Sequence, residues 1–122
     1  MGRRWYVAKS LSPKLDKFVL AFRGDKPPKS IPIMNREVQV KVVKDLTNQA
    51  GEPLWGLFSI DENLIRLEEN CHDWREILLH ESIHGFLELS TANHTLTEDQ
   101  EEVIVKMVQY HIYPLLKPFL TP

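Results

Sequence analysis

Apolar residues along this chain change spacing several times, and each change marks an element. Leu15, Phe18, Val19 and Phe22 recur at three- and four-residue intervals. They follow Ser12-Pro13, an N-cap with a proline at the first helical position, and Gly24 supplies a stop. This spacing predicts a helix over 13–23. Lys26-Pro27-Pro28-Lys29-Ser30, continuing to Pro32, reads as a proline-rich connector that cannot be helical. Glu37-Val38-Gln39-Val40-Lys41-Val42 then alternates polar and apolar, the pattern of a half-buried strand. After a loop from Asn48 to Pro53, two strand-like runs at 55–60 and 64–68 flank Asp61-Glu62-Asn63, which reads as a hairpin turn.

Helical periodicity returns at Asp73, an N-cap residue with Glu76 three positions on, and is expected to last to Leu89. Ile77, Leu78, Ile83, Phe86 and Leu87 supply its sheet-packing positions. A polar loop covers 90–97. Thr97, with Gln100 in the reciprocal position, then caps a last helix carrying Ile104, Val105, Met107, Val108 and Ile112, and Pro114 bends or ends it. The expected order is helix, three strands, helix, helix: one α+β domain over residues 1–122, with a small three-stranded sheet.

The last two helices carry the chemistry. His80-Glu81-Ser82-Ile83-His84 reads H-E-x-x-H, and it falls in the middle of the helix expected from Asp73 to Leu89. Histidines four residues apart stand one turn above each other on one helix face, so both rings can reach one zinc ion at about 2.0–2.1 Å. Glu81 projects beside that ion, where a general base is needed to take a proton from an activated water. Gly85, directly after His84, permits close approach of another segment.

A catalytic zinc needs a third protein ligand and an open position. Cys71, His72, His94 and His111 are conceivable. The acidic group Glu98, Asp99, Glu101 and Glu102 is better placed, because a helix running antiparallel to the motif helix returns its first turns to the metal. If Ile104, Val105 and Val108 form the buried stripe, Glu101 precedes it on the same face. Glu102 shares a mostly polar stripe with Val105, Lys106 and Gln109, and Glu98 belongs to the first turn, where it favours the helix dipole. The phase therefore selects Glu101, with Glu102 second and Glu98 third.

Composition narrows the alternatives. Of 122 residues, 43% are hydrophobic and 26% charged, which is ordinary for a globular domain able to bury a core without disulfides. A net charge of −2 offers nucleic acid no general attraction, although basic residues gather before residue 30 and acids between Asp61 and Glu102. No apolar run approaches the roughly 20 residues of a membrane span, and the first residues lack a signal-peptide core. Cys71 is the single cysteine. A cytoplasmic protein with no membrane or nucleic-acid partner is expected.

Ile65-Arg66-Leu67, the helix Trp74-Arg75-Glu76-Ile77-Leu78-Leu79-His80-Glu81-Ser82-Ile83-His84, and Leu96-Thr97-Glu98-Asp99-Gln100-Glu101-Glu102-Val103-Ile104-Val105 together resemble small phage-encoded H-E-x-x-H proteins. These are similar to minimal gluzincins such as the ImmA/IrrE-type metallopeptidases. The resemblance spans about residues 55–110. It implies a zincin-like fold, Zn2+ held by His80, His84 and a downstream glutamate at Glu101, and Glu81 as base. In such relatives alanine and asparagine follow that glutamate, whereas Glu102 and Val103 follow here, so Glu101 and Glu102 remain alternatives.

The expected function is zinc-dependent hydrolysis of a peptide bond in a protein or peptide substrate, with an edge strand at 55–60 or 64–68 holding the substrate backbone. Tyr110, His111 and Tyr113 are candidates for an oxyanion donor. The competing expectations are a catalytically inactive zinc-binding module that acts on a regulator, and a hydrolase of non-peptide amides.

Overall fold

The structure, a computed structural model, describes residues 13–90 and 95–122. Ser12, expected to cap the first helix, and His94 lie outside them. Helix α1 (Pro13–Ala21) leads into a four-stranded sheet of β1 (Ser30–Ile33), β2 (Arg36–Val43), β3 (Gly56–Ser59) and β4 (Leu64–Glu68). Helix α2 (Trp74–Leu89) carries the H-E-x-x-H motif. Helix α3 (Glu98–Met107) passes through a π-helical turn (Val108–Ile112) into α4 (Tyr113–Leu120). The α+β class is as expected. No helix among the described residues is long and apolar enough to cross a membrane.

The sheet has one strand more than the pattern predicts. β1 falls inside the proline-rich connector and pairs antiparallel with β2, joined through Met34-Asn35. Pro32 lacks an N–H, but an edge strand tolerates it, and Ile31 and Ile33 alternate inward, both fully buried. The turn hides the hairpin from a sequence reading because Met34, not a glycine, holds the positive φ of 55°.

Strand order is β1-β2-β4-β3. After β2 the chain bypasses the adjacent position, forms β3 on the far edge and returns through the 60–63 turn, so β4 lies parallel to β2 and antiparallel to β3. β4 is therefore central, and its burial on both faces follows: Leu64, Ile65, Leu67 and Glu68 are all buried. Its last residue anchors the crossover. The Glu68 carboxylate accepts the Leu46 N–H at 2.8 Å and the Asn70 N–H at 3.1 Å, which holds its pKa below the ordinary value of 4.5. A depressed carboxylate pKa contributes stability above the unfolded value and loses it as pH falls through the folded value. Acid unfolding monitored by circular dichroism below pH 4.5 is accordingly expected to be shallower in Glu68→Gln than in wild type.

The core lies between the sheet and the helices. Ile31, Ile33, Val38, Val40, Ile65 and Leu67 face Phe22, Ile77 and Leu78, with Tyr113 and Leu120 closing one end. Phe18 stacks at tilted angles on Phe22 (5.1 Å) and Phe86 (5.6 Å), fixing α1 against α2. Arg75 reinforces this by donating to the Phe22 and Gly24 carbonyls at 2.7 and 2.6 Å, satisfying groups that the end of α1 leaves open. At Gly85 a Cβ would sit 3.2 Å from Ile33, so the bare backbone lets α2 settle on the sheet.

Candidate metal centre

α2 starts where Asp73 accepts the N–H groups of Arg75 and Glu76, at 3.2 and 3.4 Å. Glu76 itself does not complete a capping box. Its carboxylate accepts a hydrogen bond from Gln109 Nε2 at 2.9 Å. The α3 cap is complete, with Thr97 and Gln100 satisfying each other's backbone N–H at 2.9 and 3.1 Å. From there the α3–π–α4 path runs antiparallel along α2. Glu101 and Glu102 meet His84, Gln109 meets His80 and Glu76, and the buried Tyr113 donates its hydroxyl to Asp73 at 2.9 Å.

This alignment brings His80, Glu81 and His84 together as the motif predicts and separates the acidic candidates. Glu102 faces both imidazole Nε2 atoms, at 3.7 Å from His80 and 3.5 Å from His84. Glu101 lies on the other side of the His84 ring, 2.6 Å from Nδ1. Two groups of potential ligand atoms result, each within 4.8 Å: His80, His84 and Glu102, and His84, Glu88 and Glu101. The helix phase expects Glu101 on the buried face, and its side chain lies there, 16% exposed against 41% for Glu102, but it meets His84 at Nδ1 rather than both rings at Nε2. The stripe that faces α2 is mixed. Val105 is fully buried, Ile104 and Val108 are half-buried, and Glu101 and Glu102 both reach His84. Glu102 and Gln109 flank the buried Val105 at helical spacing, and each meets His80 on α2. Glu102–Val105–Gln109 at helical spacing, opposite a histidine pair, is the sequence signal that would have found this face.

The donor set suits a zinc ion. Glu102 reaches the two Nε2 atoms through one carboxylate oxygen each, at 3.7 and 3.5 Å, and one ligand atom from each of the three residues lies within 4.8 Å of the others. Burial, ahead of every other influence, lowers the His80 pKa below 6.5 and favours the neutral ring that a metal ligand requires. Both rings are also held at Nδ1, His80 by Gln109 Oε1 (2.7 Å) and His84 by Glu101.

Glu81 is 8% exposed, and burial pushes its carboxyl up from 4.5 to about 7, with the His84 ring and the Phe58 N–H pulling the other way. It sits under β3, and Gly56 permits the contact. A Cβ there would lie 2.6 Å from Ile77 Cγ2 and 3.0 Å from Glu81 Cγ. Gly56→Ala is expected to cost about 1–3 kcal/mol through overpacking, read as a lower urea midpoint, because the branched Ile77 cannot yield without moving α2.

β3 is the edge strand on the α2 motif's side of the sheet order, opposite β1. Trp55 and Glu68 share a ladder bond (2.8 Å), so Gly56 and Phe58 turn their peptide groups away from β4, toward Glu81. Of the two runs expected to hold a substrate backbone, 64–68 is paired on both sides and only the 55–60 run has an open edge. A cleft of about 360 Å³ opens there, between Leu57 and Phe58 on one wall and Glu88 and Glu98 on the other. A smaller one, about 270 Å³, reaches Trp55 and Tyr110 past His80.

The remaining candidates lie elsewhere. His72 is exposed and edge-on to Trp55, His111 is exposed, and Cys71 packs against the core with its thiol pKa raised by burial. Tyr113 is committed to Asp73, leaving Tyr110 as the one oxyanion candidate that borders the site. No family model matches the chain, and neither the curated proteins nor the solved structures contain a match.

Proposed function

We propose that this protein is a zincin-like, zinc-dependent metallopeptidase of the phage type, with His80, His84 and Glu102 as the ligands and Glu81 as general base. The observation that carries this reading is the convergence of two imidazole Nε2 atoms and the Glu102 carboxylate beside a buried glutamate under an open strand edge. Glu102 is preferred to Glu101 because it meets both rings at Nε2, opposite the Nδ1 atoms that Gln109 and Glu101 hold. Glu101 then holds His84 Nδ1, the place a carboxylate takes behind a ligating histidine. A single cysteine, half-buried and thiol-protonated, fits a cytoplasmic setting.

When bound, a zinc ion supplies a Lewis acid that polarises a carbonyl and lowers the pKa of water. The chain's residues do the rest. An extended peptide adds to the outer edge of β3 through the outward groups of Gly56 and the Phe58 carbonyl, the Phe58 N–H being held by Glu81, which sets its carbonyl beside Glu81. Glu81 accepts the water proton and returns it to the leaving amine.

Mass spectrometry of the purified protein is expected to find one zinc per chain. The zinc-loaded protein is expected to cleave members of an unbiased peptide mixture, and a chelator to stop it. Folded protein that takes up no zinc overturns the reading. Stoichiometric zinc without cleavage points to the interaction module instead.

A further inference from the structure

The hydrogen bonds behind His80 form a directional chain. Glu76 Oε2 accepts from Gln109 Nε2 at 2.9 Å, and Gln109 Oε1 lies 2.7 Å from His80 Nδ1. A carboxylate can only accept, so Glu76 compels the amide to turn its NH2 toward itself and its oxygen toward the histidine. That oxygen can also only accept, so the neutral His80 ring must carry its proton on Nδ1 and present a bare lone pair at Nε2. Nε2 is the atom that faces Glu102, at 3.7 Å.

Gln109 reaches this position from the second residue of the π-helical turn Val108–Ile112. Single π turns are rare and concentrate at functional sites. The turn lies between α3, which carries Glu102, and Tyr113, which is tied to the Asp73 cap of α2. Gln109 is thus held against α2 from both directions along the helix. Glu76, which the sequence offers as a capping residue, serves the amide instead.

We propose that Glu76 and Gln109 are positioning residues that lock His80 in its Nδ1–H tautomer and orient its Nε2 for the metal before any metal arrives. The lock is a property of the metal-free protein. Its consequence for zinc affinity rests on the function proposed above.

The first readout is nitrogen-15 NMR of the His80 ring in metal-free protein at pH 8. The Nδ1–H tautomer is expected in wild type and a mixture of tautomers in Gln109→Ala. The second is zinc affinity by competition with a chromophoric chelator. Gln109→Ala is expected to weaken it about 10- to 100-fold. Gln109→Glu combined with Glu76→Gln is expected to recover part of that loss, because the amide at 76 then donates to a carboxylate at 109 that still accepts from Nδ1–H. Glu76→Gln frees the amide to flip and is expected to mix the tautomers without removing Gln109.

An Nε2–H tautomer in wild type overturns the proposal, and this result requires no variant to fold. Unchanged tautomer and affinity in Gln109→Ala overturn it as well. A protein with the Nδ1–H lock that binds no zinc would retire the metal reading and leave the relay standing.

Discussion

Glu81→Gln is expected to abolish peptide hydrolysis and at the same time make the metal-free protein more stable. The loss of activity, about 10²- to 10⁴-fold in kcat, is the usual worth of a positioned general base, and glutamine cannot accept the proton. The gain in stability has a separate physical origin. The buried carboxyl titrates near 7 in the fold against 4.5 in its ordinary state. The folded protein therefore holds a proton that the unfolded chain gives up between those two values. Stability is fully present below pH 4.5 and is lost as pH rises through 7, a total of about 3 kcal/mol at 1.36 kcal/mol per pKa unit. Glutamine has nothing to ionise, and its amide oxygen can still receive the Phe58 N–H. Urea unfolding of chelator-treated protein is expected to show the variant ahead of wild type at pH 8, with the advantage gone at pH 4. A wild-type stability that does not fall between pH 4.5 and 7 would contradict the burial argument. Retained hydrolysis in Glu81→Gln would contradict the enzyme reading.

The two neighbouring glutamates are expected to behave differently when each loses its charge. Glu102→Gln removes the carboxylate between the two Nε2 atoms, leaving two histidines that do not make a catalytic site. Stoichiometric zinc is expected to be lost on gel filtration. Glu101→Gln keeps an oxygen able to accept from His84 Nδ1, and its loss of affinity is expected to stay within about 10- to 100-fold. Substitution at Glu101 also relieves Glu88, whose pKa is raised by burial first and by Glu101 next. Retention of zinc in Glu102→Gln and its loss in Glu101→Gln would return the ligand to Glu101 and point to the His84, Glu88 and Glu101 group.

Local chemistry made much of this architecture readable in advance. Asp73 and Thr97 do cap their helices, because an N-cap needs only a side-chain oxygen within three residues of an orphan N–H. The β3–β4 hairpin was visible through its turn, and the histidine pair through a spacing that any helix converts into one face. β1 was not visible, since edge-strand proline and a left-handed Met34 both run against residue preference and are tolerated by the tertiary setting alone.

What the sequence determined by itself was therefore the three helices ahead of the π turn, most of the strands, and the pair His80 and His84 with Glu81 between them. These depend on interactions that reach no further than four residues. The tertiary structure decided which strand is the open edge, that Glu102 and not Glu101 meets both rings at Nε2, and that Gln109 stands behind His80. Those outcomes turn on how α3 is rotated about its own axis against α2 and on where β4 inserts. Both are set by contacts between residues tens of positions apart, which no local period records.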